Sequence, residues 1–326
     1  MRTLVYGAGP IGQWLALHMR RAGQDVTLLA RGATCQRLRR DGIRIKDALT
    51  GERLTAQVDL VEALEPTDDY DLAIVALSKA GRLAVCPTLS RNDRIPHLLF
   101  LGNDVAGARS YADHLSGERL LLGFPGSGGG WLHDELVVLD REKPRHPRGP
   151  VHLGEIDGHV RARTRRIGEL LSGCGLSVAV QDDMDGWLKY HFAFMAPTAG
   201  VILQCGGEPK AVAEDAEAIH RYCRACREAG NVLRAVGYRK RHPFVFNLYY
   251  WAPRWLEPVI FGKLFRSRMA EIGFGLHLKT VGPELHLLAG EFAELRTRSG
   301  LETPDLDALL ACVSAQAPGA GGRGHA

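Results

Sequence analysis

The chain has 326 residues, enough for two domains with sizeable cores. Hydrophobic residues at 45% and charged residues at 24% are those of an ordinary globular protein, and a net charge of +4, spread in short runs such as Arg37 to Arg40, argues against a nucleic-acid-binding surface. Seven scattered cysteines give no secreted disulfide framework, and no uncharged apolar run reaches the ~18 residues of a membrane span. Residue 1 opens a strand, so no cleaved leader is expected and the cytoplasm is the expected compartment, with neither nucleic acid nor membrane as partner.

Met1 to Tyr6 reads as a short apolar strand. Gly7-Ala8-Gly9-Pro10-Ile11-Gly12 follows, and Gln13 to Arg21 has helical spacing. This is a GxGxxG with a strand before it and a helix after it, the context that a dinucleotide site requires. Gly7 is expected to allow the tight turn, Gly9 to let the backbone approach a pyrophosphate, and Gly12 to let the helix pack on the strand. The helix start supplies free N–H groups and the positive dipole end for phosphates. A second strand, Asp25 to Ala30, ends at Arg31. A carboxylate there would favour the ribose hydroxyl of NAD, whereas an arginine favours the 2′-phosphate, so NADP(H) is expected, with Arg37, Arg39 and Arg40 close by.

Ile43 to Ile45 and Leu54 to Val58 read as a hairpin around Leu49 to Glu52. Tyr70 to Leu77 and His97 to Leu101 are continuous apolar runs, hence buried parallel strands. Ser78-Lys79-Ala80 and Gly102-Asn103-Asp104 stand at their C-terminal ends, where open α/β sheets bind ligands. Leu120 to Gly123, Leu136 to Leu139, Val151 to Leu153 and Leu176 to Val180 are further strands. Pro125 to Gly130 reads as a flexible glycine-rich connection, and Arg141 to Pro150 as a surface loop.

From Asp182 the spacing becomes helical. The expected organisation is α/β: a Rossmann-like dinucleotide-binding domain over 1–180, an all-α domain over 181–316, and a disordered tail over 317–326. Helices are expected over Met184 to Val201, Ala213 to Val236 and Met269 to Arg298, the last broken near Gly282-Pro283, with a final helix opened by Thr303-Pro304. Cys223 and Cys226 read as two small apolar residues on one helix face. Phe244 to Trp255 is crowded with aromatics and interrupted by prolines; core or pocket wall is the favoured reading, a dimer face or a membrane-surface patch the others.

Taken together, the landmarks resemble the ketopantoate (2-dehydropantoate) 2-reductase family: Gly7 to Gly12, Arg31, Ser78-Lys79-Ala80, Asn103, Trp187-Leu188-Lys189, Glu284 before Gly290, and Gly300-Leu301-Glu302-Thr303-Pro304. The resemblance spans residues 1 to 312 and implies a 6-phosphogluconate-dehydrogenase-like plan, a Rossmann half followed by a helical half. It implies that Lys189 is the general acid at the substrate carbonyl, that Glu284 holds the substrate hydroxyl, and that Lys79 and Asn103 stand at the cofactor–substrate junction. The implied reaction is NADPH-dependent reduction of a 2-keto acid, with 2-dehydropantoate in pantothenate biosynthesis as the leading substrate. A homodimer through the helical domain is also an expectation.

The chain departs from the family pattern in places. Ala193 stands one helical turn after Lys189, where the family carries asparagine. Ser267 lies far from Glu284, and Asn103 is followed by Asp104. His191, beside Lys189, is either an alternative acid or a packed ring, the packed reading being favoured. Two other functions stay open: an opine-type dehydrogenase using a histidine–aspartate pair, and a non-catalytic NADP-binding sensor or scaffold.

Overall fold

The computed structural model describes residues 1–140, 149–240, 244–276 and 282–315. The tail at 317–326 and nearly all of the loop at 141–150 therefore lie outside the described residues. The chain divides into two compact units, one of residues 1–102 and 107–185, the other of residues 103–106 and from 186 onward.

The first unit opens with β1 (Thr3–Tyr6), α1 (Pro10–Arg21), β2 (Val26–Leu29) and α2 (Gly32–Asp41), followed by β3 (Ile43–Asp47), β4 (Arg53–Ala56) and β5 (Asp59–Val61). Then come β6 (Leu72–Val75), α3 (Lys79–Arg91), β7 (Leu98–Leu101), β8 (Leu120–Phe124), β9 (Gly129–Leu132), β10 (Glu135–Val138), β11 (Val151–Glu155), α4 (Ala162–Gly173) and β12 (Val178–Val180). Eight strands form one sheet in the order β12-β11-β8-β7-β6-β1-β2-β5. The six strands from β8 to β5 in that order are parallel, while β11 runs antiparallel to β8. Numbered as the chain meets them, the parallel strands lie 3-2-1-4-5-6, the doubly wound order whose ligand crevice opens beyond the C-terminal ends of the first and fourth strands. Here those strands are β1 and β6, and every residue of both is buried. Burial on both faces explains why they read as unbroken apolar runs rather than alternating ones.

A second sheet has the order β4-β3-β10-β9. It corrects the reading of Pro125 to Gly130 as a flexible connection. Gly129 and Gly130 belong to β9 and pair with Val138 and Val137. A Cβ on Gly129 would lie 2.5 Å from the Val137 carbonyl, so the glycine serves close strand packing. The β9–β10 turn is made by His133 and Asp134, both at positive φ, the geometry of a two-residue hairpin, without the glycine that usually signals it.

The helical unit contains α5 (Met184–Gln204), α6 (Pro209–Val212), α7 (Ala216–Ala235), α8 (Leu248–Trp251), α9 (Glu257–Arg266), α10 (Arg268–Ala270), a π-helical turn (Glu271–Leu276), α11 (Gly282–Ser299) and α12 (Pro304–Ser314). Asp215 caps α7 by accepting from Glu217 N and Ala218 N. The buried face of α7 carries Ile219, Tyr222, Cys223, Cys226, Val232 and Leu233. Both cysteines are free and buried, and burial drives both thiols well above their usual range, so neither is poised as a nucleophile.

Two expectations about this unit change. Pro258 starts α9 rather than interrupting a helix, because the first turn needs no N–H donor. The helical stretch expected over 269–298 opens as α10 and a π-helical turn rather than as one α-helix, and α11 starts at Gly282, where the break was expected. The aromatic stretch is split as well. Phe246 and Tyr249 are fully buried, and Tyr249 stacks on Phe261 at 4.9 Å, whereas Trp251 and Trp255 are 64% and 76% exposed.

Candidate functional site

The turn after β1 is shaped by what its glycines lack. Gly7 has φ +114°, and a Cβ there would lie 2.6 Å from Leu77 Cδ2 and 2.8 Å from the Ala76 carbonyl, in the loop that follows β6. At Gly12 a Cβ would fall 1.8 Å from the Gly7 carbonyl oxygen. Helix α1 thus presses mainly on the turn itself, and the strand contact expected of Gly12 is secondary, Val5 Cγ1 being 3.5 Å away. Gly9 differs, since nothing lies within 4 Å of its ideal Cβ position. It is the N-cap of α1, Pro10 opens the helix, and the first turn holds no acid to offset the positive dipole end. Gln13, fully buried, donates from Nε2 to the Ala8 carbonyl at 2.7 Å and closes the turn. Two crowded glycines frame an open one above unopposed helix N–H groups, and this cradle fits a pyrophosphate.

Arg31 is exposed at the N-cap of α2, just beyond β2. Its charge reaches the Tyr6 hydroxyl at the end of β1, opposing the burial that raises that phenol. The arginines downstream have other partners. Arg39 pairs with Glu62 at 2.9 Å, Arg40 pairs with Asp41 at 2.9 Å, and Arg37 lies 5.0 Å over the Trp131 ring. Among the described residues Arg31 forms no ion pair, which leaves it as the cation of this group open to a phosphate.

At the start of α3, Ser78 Oγ accepts from Gly81 N and caps the helix. Lys79 is fully buried, with Nζ 2.9 Å from Ser110 Oγ and 4.9 Å over the Tyr111 ring. One helical turn on, Arg82 is 1% exposed. Its Nη1 donates to the Leu77 and Leu101 carbonyls at 2.9 and 3.1 Å, and its Nε to Tyr111 Oη at 3.1 Å. Arg82 therefore ties together the chain ends that leave β6 and β7. Gly102, at φ +143°, passes so close that a Cβ would sit 2.1 Å from Arg82 Nη1. Burial beside this group raises the Cys86 thiol to about 11 despite the two neighbouring cations.

In the helical unit Lys189, on α5, is 3% exposed, and its Nζ lies 4.9 Å over the ring of Tyr238. Tyr238 is placed by the end of α7. Its N–H bonds to the Leu233 carbonyl and that of Gly237 to the Arg234 carbonyl, a Schellman closure that puts Gly237 at φ +108°. Tyr190 then donates to the Tyr238 carbonyl at 2.8 Å and fixes it against α5. His191 stacks on Trp187 with planes 8° apart. Ala193, in the family's asparagine position, is buried in the helical core. Asn103 and its three successors belong to this unit, with Val105 in the same core. Glu284, half-buried, is in the first turn of α11. Two turns later, Glu291 Oε2 accepts from Val105 N at 3.2 Å and Ala106 N at 2.8 Å.

Residues 3–143 match the family model described as ketopantoate reductase PanE/ApbA. The chain is 30% identical over 213 residues to the uncharacterized oxidoreductase YkpB of Bacillus subtilis (strain 168), an alignment spanning 62% of this chain and 64% of that relative's length. Its fold is that of 2-dehydropantoate 2-reductase from Geobacter metallireducens GS-15, at a TM-score of 0.74, 15% identity and coverage of 96% and 99% of the two chains. It is equally that of D-mandelate dehydrogenase in its ternary structure with NADH and anilino(oxo)acetate, at a TM-score of 0.75, 16% identity and 97% coverage of each chain. No helix among the described residues is long and apolar enough to cross a membrane.

The residues singled out from the family resemblance thus fall in two groups. Gly7 to Gly12, Arg31 and Lys79 belong to the first unit, and Asn103, Lys189 and Glu284 to the second. Four structural partners went unseen in the sequence: Arg82, Tyr111, Tyr238 and Glu291. Arg82 had a signal, three residues after Lys79 on the same helix face. Glu291 had a weaker one, seven residues after Glu284. Tyr111 and Tyr238 had none, since they meet their lysines only through the fold.

Proposed function

We propose that the protein is an NADPH-dependent reductase of a 2-keto acid, forming the 2-hydroxy acid, with 2-dehydropantoate as the leading candidate substrate. The observation that carries this reading is the Lys189 side chain, withdrawn from solvent under the Tyr238 ring, in a chain whose residues 3–143 match the ketopantoate reductase family model. A reduced nicotinamide dinucleotide supplies the hydride when bound at the glycine turn. The N–H groups at the start of α1 hold its pyrophosphate, and Arg31 takes the 2′-phosphate.

Reduction of a ketone builds negative charge on the carbonyl oxygen. A preplaced ammonium lowers that barrier by donating a hydrogen bond to the oxygen and then a proton to the alkoxide. In a dry setting the same charge acts more strongly than in water. The Tyr238 ring face steadies the cation without neutralising it. Glu284 accepts from a substrate hydroxyl, and Asn103 donates to the substrate on the same unit.

The test is NADPH oxidation against a panel of 2-keto acids that includes 2-dehydropantoate and aryl-2-oxo acids. Turnover of at least one is expected, with kcat lowered about 10²–10⁴-fold in Lys189→Ala. No turnover with any member, or full activity in the variant, would sink the reading.

A further inference from the structure

The four residues Asn103–Ala106 leave the first unit between two glycines at positive φ, Gly102 at +143° and Gly107 at +69°, and join the helical one. They form no helix or strand, so their buried amides need partners from elsewhere. Glu291 provides them for Val105 and Ala106. One carboxylate oxygen receives two consecutive N–H groups, at 3.2 and 2.8 Å, from residues 186 and 185 positions away in the chain. Val105, whose amide is held in this way, is fully buried in the helical core. The segment is therefore pinned twice, by an apolar side chain and by a charge-assisted fork.

The pinned amide of Val105 is only two residues from Asn103. Glu291 also shares α11 with Glu284, seven residues earlier and hence on the same face. We propose that Glu291 is a positioning residue: it sets Asn103 in fixed register with Lys189 and Glu284 and does not itself touch substrate. The proposal rests on the reductase reading of Asn103 given above. A neutral amide oxygen at residue 291 would accept from these N–H groups more weakly than a carboxylate oxygen, which carries a share of the negative charge. Gly102 and Gly107 supply, on either side of the fork, φ values closed to most other residues.

The test combines kinetics with amide exchange on the full chain. Glu291→Ala is expected to lower kcat about 10–100-fold, since a misplacement of about 1 Å at a reacting group can cost on the order of 10²-fold. The dissociation constant for NADPH should stay within about twofold, because the glycine turn and Arg31 are untouched. The Val105 and Ala106 amides should exchange at least about tenfold faster, while those of β7 stay protected. Glu291→Gln, which keeps the shape and one acceptor oxygen, should fall between the two and guards against simple misfolding of the alanine variant. In an Asn103→Ala background the Glu291→Ala change should add less than about twofold, because its effect runs through Asn103.

Multiplicative losses in the double variant, unchanged kcat with faster exchange, or unchanged exchange would each overturn the proposal. Wild-type turnover is measured first, so the two levels separate. An inert wild type overturns the reductase reading, whereas an active wild type with additive losses overturns the role of Glu291 alone.

Discussion

Two short loops leave the C-terminal ends of sheet strands, and each begins with a glycine at positive φ: Gly7 after β1 and Gly102 after β7. They are held in opposite ways. The Gly7–Gly12 turn closes on itself and on the neighbouring loop, through contacts with Leu77, Ala76 and its own helix. The Asn103–Ala106 segment is held at Val105 and Ala106 by Glu291, from far along the chain. The first loop is specified by side chains that are missing, and the second by one that is present elsewhere. A loop of the first kind carries its instructions in its own spacing, so a motif search finds it. A loop of the second kind looks featureless until the fold is known.

The largest effect separates two glycines inside the first loop. Gly12→Ala places a Cβ 1.8 Å from the Gly7 carbonyl, a backbone atom that cannot step aside. Overpacking of this kind costs about 1–3 kcal/mol or more, so both the thermal midpoint and NADPH binding should fall together. Gly9→Ala meets open space and should leave the midpoint nearly unchanged while weakening the dinucleotide, whose approach it blocks. Calorimetric melting beside fluorescence titration with NADPH checks both. Equal losses of stability in the two variants would break the distinction drawn between them.

Arg31 tests whether charge adds to what the turn provides. Arg31→Ala should weaken NADPH about 10–100-fold, the equivalent of one or two charge-assisted hydrogen bonds, and leave NADH within about twofold. The preference should also shrink as salt rises, because the guanidinium is exposed. Arg39→Ala, which removes a partner of Glu62, is the control and should shift neither affinity appreciably. A matched loss for NADH and NADPH would assign Arg31 to the fold rather than to the phosphate.

Legibility follows the same division. The parallel strands were readable because burial on both faces leaves only apolar residues in them, and α7 because one face repeats at helical spacing. The helical nature of the second unit showed in that same change of period. β9 carries no strand signal because its glycines resemble a loop, and its turn uses His133 and Asp134 instead of glycine. In sequence Pro258 reads as a break, although proline at a first helical turn is a start. In the site, the glycines, Arg31 and Lys79 came from local spacing or family resemblance. The immediate surroundings of both lysines did not, since the Tyr111 and Tyr238 rings meet them only through tertiary packing.

The smallest expected effect concerns a carboxylate clamp whose partners are near in sequence, the intermediate case between the two loops. Glu155, on β11 and 2% exposed, receives hydrogen bonds from Arg163 and Thr164 on α4 and lies 3.3 Å from Arg161. Burial, the largest single influence, pushes its carboxyl up, but the hydrogen bonds and charges of Arg163, Thr164 and Arg161 together outweigh it and leave it below its ordinary 4.5. A depressed value means that folding favours the ionised form. The stabilisation is then fully present above about pH 4.5 and is lost as pH falls through the folded value. Glu155→Gln should cost on the order of 1–3 kcal/mol at neutral pH, and the gap to wild type should hold steady down to that point and narrow below it. Melting curves of both proteins across that range check the sign. A gap that widened on acidification would mean that desolvation wins at Glu155, and that a clamp assembled from neighbours in sequence is no more secure than the single remote carboxylate at 291.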